Sequence, residues 1–291
     1  MNNKKFANII SVLTLSAIMV TGGVKATAAA DFSEETICDN APVIYVTSDD
    51  ELPEAYRRNM EAMKNVPYTT AEKASAYNNY INNKKLNKNI VTRSIIRPSV
   101  NIYQNPQEED YYCGYACLQS ILEYHNIDKT QDGIAADAYD TSDALAWFTG
   151  SQSQATQWRR YPAAVYLSSE LNIDYRPYNS YFGTFNASVL ADKVEYDVDE
   201  MEEGVLICGV SKGNDSNGSK LPGYPSYNVS HWIVADGYYW DNTAKKVVEI
   251  SFVDPAKSSA ISWSSSISKY SHTELDRMYN FASARGIIWC E

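Results

Sequence analysis

Histidine is the scarcest reactive side chain in this sequence. Only His125, His231 and His272 occur among 291 residues, so any chemistry that needs an imidazole must use one of them. Cysteine is sparse too: Cys38, Cys113, Cys117, Cys208 and Cys290, with no Cys-x-x-Cys pair. That argues against a zinc ribbon, a thioredoxin-like dithiol and a disulfide-dense scaffold. The sequence has no phosphate-binding glycine loop, no calcium-loop pattern and no internal repeat. It therefore implies no metal and no organic cofactor. Basic residues are outnumbered, 25 against 36 acidic, which makes nucleic acid and anionic membrane surfaces poor partners.

Long apolar runs are also missing after the first residues, so no integral membrane contact is expected. The one run that exists is Phe6 to Val20, behind Lys4 and Lys5 and ahead of Lys-Ala-Thr-Ala-Ala-Ala-Asp. A charged start, a short apolar core and small residues before a cut describe a secretory signal. Residues 1–30 are read that way, with cleavage near Ala28 or Ala30 and no adjoining cysteine for a lipid anchor. The remaining chain, about 260 residues, is long enough for one substantial core plus an extra segment. It would be extracellular, with all 36 acidic residues but only 22 basic ones, a net charge of −14. Five cysteines outside the cell leave at least one unpaired in a monomer, and their pairing is not legible.

Residues 31–97 differ in character from the rest of the chain. Leu52 to Lys64 and Thr70 to Lys85 read as helices, and Asn82 to Ile90 as a polar basic linker. Two readings stand side by side: a solvated helical appendage, or a prosegment that shields a cleft until maturation. On the second, the active form begins between about Lys85 and Ser99, since flexible basic stretches are where nicking concentrates.

From Ser99 the pattern changes. The apolar positions Cys117, Leu118, Ile121 and Leu122 give Ala116 to His125 the spacing of a helix with one buried face. Thr141 to Trp147 and Pro162 to Leu171 are predicted as further helices. Gly204 to Val210, His231 to Tyr239 and Val247 to Val253 are predicted strands. Ser211 to Asn228, rich in Gly, Ser, Asn and Pro, is a long loop of the kind that is often functional or mobile. A helical first half and a stranded second half indicate an α+β fold, two lobes sharing a cleft.

The chemistry turns on Cys113, in Gln107-Glu-Glu-Asp-Tyr-Tyr-Cys-Gly-Tyr-Ala-Cys117. A thiolate is the nucleophile, and a helix start lowers the thiol pKa. Gly114 permits a tight turn and close substrate approach. Gln107 could supply an amide to an oxyanion hole with the Cys113 N–H, and Gln104 is a second candidate. His125, twelve residues down the same helix, is roughly 18 Å away. His272 looks like the start of a helix. His231 opens an apolar strand after the long loop, a place where a side chain is held firmly beside a cleft. Asp254, after the strand ending at Val253, could orient the imidazole. Asp236 is a weaker rival, about 16 Å along the strand from His231.

Gln107-x5-Cys113-Gly114-x-Ala116, then Ser230-His231-Trp-Ile-Val-Ala-Asp-Gly-Tyr, then Phe252-Val-Asp254-Pro resembles the C39-like peptidase family, a bacterial branch of the papain-like cysteine peptidases. Tyr115 stands where the family usually has proline. The resemblance implies a two-lobed fold, with a helical lobe carrying the cysteine and an antiparallel sheet lobe carrying His and Asp. It also implies Cys113 as nucleophile, His231 as general base, Asp254 as orienting residue and Gln107 as oxyanion donor. The domain so implied is 98–291. The expected function is a secreted cysteine peptidase acting on a peptide or protein substrate. Two rivals remain: an amidase or acyltransferase on cell-wall peptide with the same triad, since a fold does not choose its substrate, and a non-catalytic binding module. The 23 tyrosines fit the latter, because tyrosine is enriched at interfaces.

Overall fold

The computed structural model describes residues 37–39, 41–64, 70–86, 95–139 and 143–291. The signal reading of 1–30 and half of the basic stretch 82–97, residues 87–94, lie outside the described residues. The first strands are β1 (Ile37–Asp39), β2 (Val43–Ile44) and β3 (Ile95–Ile96), with helices α1 (Glu54–Ala62) and α2 (Ala71–Leu86) between the last two. Then come α3 (Cys113–Tyr124), α4 (Gln131–Ala138), β4 (Phe148–Thr149), α5 (Pro162–Leu171), β5 (Tyr175–Tyr178) and α6 (Ala187–Tyr196). The chain ends with β6 (Val205–Ser211), β7 (Asn228–Asp241), β8 (Lys246–Val253), β9 (Tyr270–Glu274), α7 (Leu275–Ala282) and β10 (Gly286–Cys290).

The mixed α+β class is as expected. One sheet runs in the order β5-β10-β6-β7-β8-β9, antiparallel throughout, with β1 and β3 also paired to β7. All seven residues of β6 are buried, which explains why Val205 to Val210 carries no polar side chain instead of alternating. Helices α3 and α6 pack on β7, and α7 packs on β6 and β8. Local signals set the helix ends. The Thr130 hydroxyl accepts from Gly133 N–H to cap α4, Pro162 occupies the first turn of α5, and Asn172 closes that helix in the left-handed region at φ 54°.

Two expectations are corrected. Thr141 to Trp147 is not a helix over its described part: residues 143–147 are irregular and lead into β4. The run Ala144-Leu-Ala-Trp147 is buried, and Trp147 N–H donates to Pro42 O, so a strand-like pairing with residues a hundred positions earlier outweighs local helix preference. His272 lies in β9 and not at a helix start, which falls at Leu275.

The segment before residue 97 is not a solvated appendage where it is described. Ala55 is buried, and Leu52 and Tyr56 are buried in a cluster with Tyr139, Trp158 and Val165. Arg160 pairs with Asp49 at 2.6 Å. On α2, Tyr77 and Tyr80 pack edge-on against Tyr196, Tyr77 also meets Trp289, and Lys73 pairs with Asp174. Burial beside these rings pushes the Lys193 amine down to about 7. Strand β1 lies parallel to β7, with Ile37, Cys38 and Asp39 opposite Asn228, Val229 and Ser230.

Tyr56→Ala should therefore lower stability by about 3 kcal/mol, the cost of emptying a buried aromatic site. Lys64→Ala, on the exposed end of the same segment, should stay within about 0.5 kcal/mol. Urea unfolding of the full chain reads both. A Tyr56→Ala protein as stable as wild type would mean that the packing of α1 contributes nothing.

Candidate active site

Cys113 is the first residue of α3, where backbone N–H groups have no intrahelical acceptor and the helix dipole presents its positive end. The first turn is set by aromatic packing: Tyr112 meets Tyr111 and Tyr115 edge-on, both at 5.1 Å. Gly114 is needed for close packing. A Cβ there would lie 2.7 Å from Leu145 Cβ and 3.2 Å from Trp232 Cδ1. Trp232 follows His231 in β7, so the missing side chain lets the start of the helix approach the histidine-bearing strand.

His231 sits in the half of β7 that pairs with β6, opposite Gly209. Its Nε2 is 3.0 Å from Asp254 Oδ1. Asp254 directly follows Val253, the last paired residue of β8. Strand register therefore brings His231 and Asp254 together. The nitrogen left to face the Cys113 sulfur is Nδ1, which is buried and has no oxygen or nitrogen partner. Burial alone would push this imidazole down. The charge of Cys113, its hydrogen bond, and Asp254 outweigh burial and raise it to about 10.

All of this lies beneath the surface. Cys113 is 0 % exposed and His231 and Asp254 are each 1 % exposed, a tighter enclosure than the expected cleft. Cys117, Cys208 and Cys290 are buried thiols as well. Burial pushes Cys117 and Cys290 well above the ordinary thiol range, which makes them poor nucleophiles.

The two glutamines have different places. Gln104 Nε2 donates to Asp254 O at 2.9 Å and to Lys257 O at 3.0 Å, so both its N–H groups hold the turn after β8. Gln107 holds the same turn through its backbone, N–H to Pro255 O at 3.0 Å and its carbonyl accepting from Ser258 Oγ. Its side chain is buried, with Nε2 donating once, to Glu109 O at 2.8 Å. That leaves Gln107 one amide hydrogen and Gln104 none. An open hollow beside them is lined by Gln107, Lys257, Ser258, Ser259 and Lys269.

The remaining candidates lie elsewhere. Asp236 accepts from Ser251 Oγ at 3.0 Å in a groove with Arg97, Tyr103 and Tyr270. His125 ends α3 against Glu203, and His272 faces Glu249 and Tyr239 on β9. Sequence reading missed Tyr224, whose hydroxyl donates to Asp254 Oδ2 at 3.0 Å. Its only local signal was a place in a long loop.

Cys113→Ala removes the neighbour that does most to raise the His231 imidazole, so its titration midpoint should fall from about 10 by one or more pH units. Imidazole ¹⁵N resonances suffice to follow it, because the chain has three histidines. An unchanged midpoint would separate the sulfur from the imidazole.

No curated protein matches the chain. Among solved structures, one designated a candidate C39-like peptidase of Bacillus anthracis is similar over 67 % of this chain and 98 % of its own, at 13 % identity and a TM-score of 0.39. The model of the Peptidase C39 like family matches residues 99–281, the region that holds α3, β7 and the turn after β8. The chain belongs to the Peptidase C39 like family, a placement that suggests a cysteine-peptidase type of function.

Proposed function

We propose that the protein is a secreted cysteine peptidase that cleaves peptide bonds through Cys113, His231 and Asp254. The observation that carries this reading is the convergence of a cysteine at a helix start with a buried imidazole–carboxylate pair. In the first half-reaction His231 Nδ1 takes the thiol proton and Cys113 Sγ attacks the carbonyl carbon. The oxyanion is held by the Cys113 N–H and the remaining Gln107 amide hydrogen. The C–N bond breaks as the imidazolium returns the proton to the leaving amine, and a thioester remains. Water, deprotonated by the same imidazole, then attacks the thioester, releases the carboxylic acid and restores the thiol. Asp254 holds the ring throughout. In this reading the helical part carrying Cys113 and the sheet carrying His231 are the two lobes of a papain-like fold. Amidase action on cell-wall peptide would use the same steps, and assays on both substrate classes separate the two.

Residues 31–97 serve in this reading as a shield. Two features support that role: β1 lies on β7 immediately before His231, and Cys113 is enclosed.

Cys113→Ala and His231→Ala should each reduce kcat by roughly a thousandfold or more, and the double variant should be no worse than either, because such residues act as a unit. Asp254→Ala should cost less than either, and Asp254→Asn less again. Full hydrolysis by Cys113→Ala would end the nucleophile assignment. N-terminal sequencing of active protein from culture medium should find a start between about Lys85 and Ser99. Full activity from a start at Ala29 or Asp31 would make the segment a permanent part of the enzyme.

A further inference from the structure

The loop between β6 and β7, residues 212–227, is tied down along its length. Gly213 N–H donates to Asn228 Oδ1 at 3.0 Å, Lys220 N–H to Asp215 Oδ1 at 2.9 Å and Leu221 N–H to Ser211 Oγ at 3.1 Å. Arg277 on α7 grips both Asp215 carboxylate oxygens and the Lys220 carbonyl, at 2.8 to 2.9 Å. Gly223 has φ +78°, and a Cβ there would lie 2.0 Å from Ser266 O. Only glycine fits at that point. The next residue is Tyr224.

Tyr224 is 4 % exposed. Its ring is 4.9 Å from that of Trp263 and 5.8 Å, edge-on, from the His231 imidazole. Its hydroxyl donates to Asp254 Oδ2 at 3.0 Å, while Oδ1 takes His231 Nε2 at 3.0 Å and Ala256 N–H at 2.9 Å. Both carboxylate oxygens are thereby engaged. Rotation about the Asp254 side chain would break the tyrosine contact as well as the histidine contact.

We propose that Tyr224 is a positioning residue of the active site: its hydroxyl fixes the Asp254 carboxylate in the orientation that serves His231, and its ring covers the His231–Asp254 bond against water. The effect on hydrolysis rests on the peptidase reading; the effect on the imidazole does not. The groups facing His231 are Cys113 from α3, Asp254 from the turn after β8, and Tyr224 from the loop. Burial, with the Asp254 charge beside it, pushes the Tyr224 hydroxyl well above its ordinary value. It therefore stays a donor at any working pH. The simpler alternative is a buried tyrosine that satisfies its hydroxyl on the nearest acceptor and matters only to stability.

A double-mutant cycle with two readouts separates them. Tyr224→Phe keeps the ring and loses the donor. It should lower kcat about tenfold with KM within about twofold, the scale of one hydrogen bond to a charged group. In an Asp254→Ala background the same change should cost less than about twofold, because the hydroxyl acts only through that carboxylate. The His231 ¹⁵N resonances and titration midpoint should shift on Tyr224→Phe in the wild-type background and not in Asp254→Ala. Should Tyr224→Phe melt below the assay temperature, Gly223→Ala, which displaces the loop from Ser266, should give the same kcat loss and imidazole shift. Unshifted His231 resonances with wild-type kcat, or equal losses in both backgrounds, overturn the proposal. Hydrolysis that survives in Cys113→Ala while His231 still responds to Tyr224→Phe would end the cysteine-nucleophile reading and leave the positioning role standing.

Discussion

The hydrogen bond between His231 Nε2 and Asp254 Oδ1 constrains more of this structure than any other contact. A carboxylate that is 1 % exposed is costly unless its lone pairs are met by donors. Here three donors meet them: the imidazole, the Ala256 N–H and the Tyr224 hydroxyl. Each imposes a demand on a different part of the chain. The imidazole requires the β7–β8 register to end at Val234 opposite Val253. The amide requires the tight turn through Pro255, and the hydroxyl requires the whole ordered course of residues 212–227.

That turn is fastened by the segment that leads into α3. Gln104 grips the Asp254 and Lys257 carbonyls, and the Gln107 backbone donates to the Pro255 carbonyl and accepts from the Ser258 hydroxyl. Six residues after Gln107 comes Cys113. One short stretch of chain thus fixes the acid's position and delivers the thiol, so sulfur and carboxylate cannot drift apart independently. The three histidines, similar in kind, are sorted by what surrounds them. His125 caps a helix C-terminus against Glu203. His272 lies half-exposed against Glu249. Only His231 combines burial, a carboxylate and a sulfur.

Much of this was legible where the signal was local or carried by spacing. The helix start at Cys113, the helix from Pro162 to Leu171, and the strands of the second half each announced themselves through caps, proline or sustained apolar runs. Within the order Gln, Cys, His, Asp, the fold sets His231 Nε2 3.0 Å from Asp254 Oδ1. What failed was what depended on distant partners. Ala144-Leu-Ala-Trp147 reads as a helix until Pro42 takes the Trp147 amide. Tyr224 is one tyrosine among 23, and nothing near it in sequence announces Asp254. Gln104 and Gln107 look alike on paper; only the carbonyls around Gln104 show that its amide is already spent.

The pairing of residues 37–39 and 95–100 with β7 has a simple geometric cause. β7 has 14 residues, and its neighbours β6 and β8 have seven and eight. β6 covers Val229 to Ala235 on one edge, and β8 covers Val234 to Asp241 on the other. Each neighbour therefore leaves half of one edge unpaired, and unpaired strand edges seek partners. Beyond β6, the open edge is taken by Ile95 and Ile96 opposite Asp241 and Trp240, by the Tyr238 N–H bond to Pro98 O, and by the Val100 N–H bond to Asp236 O. Beyond β8, it is taken by Ile37 to Asp39 opposite Asn228 to Ser230. The same early stretch of chain enters both gaps, and in the second β1 ends opposite Ser230, the residue before His231. Where it is described, this stretch extends the hydrogen bonding of the strand on which the candidate base is mounted.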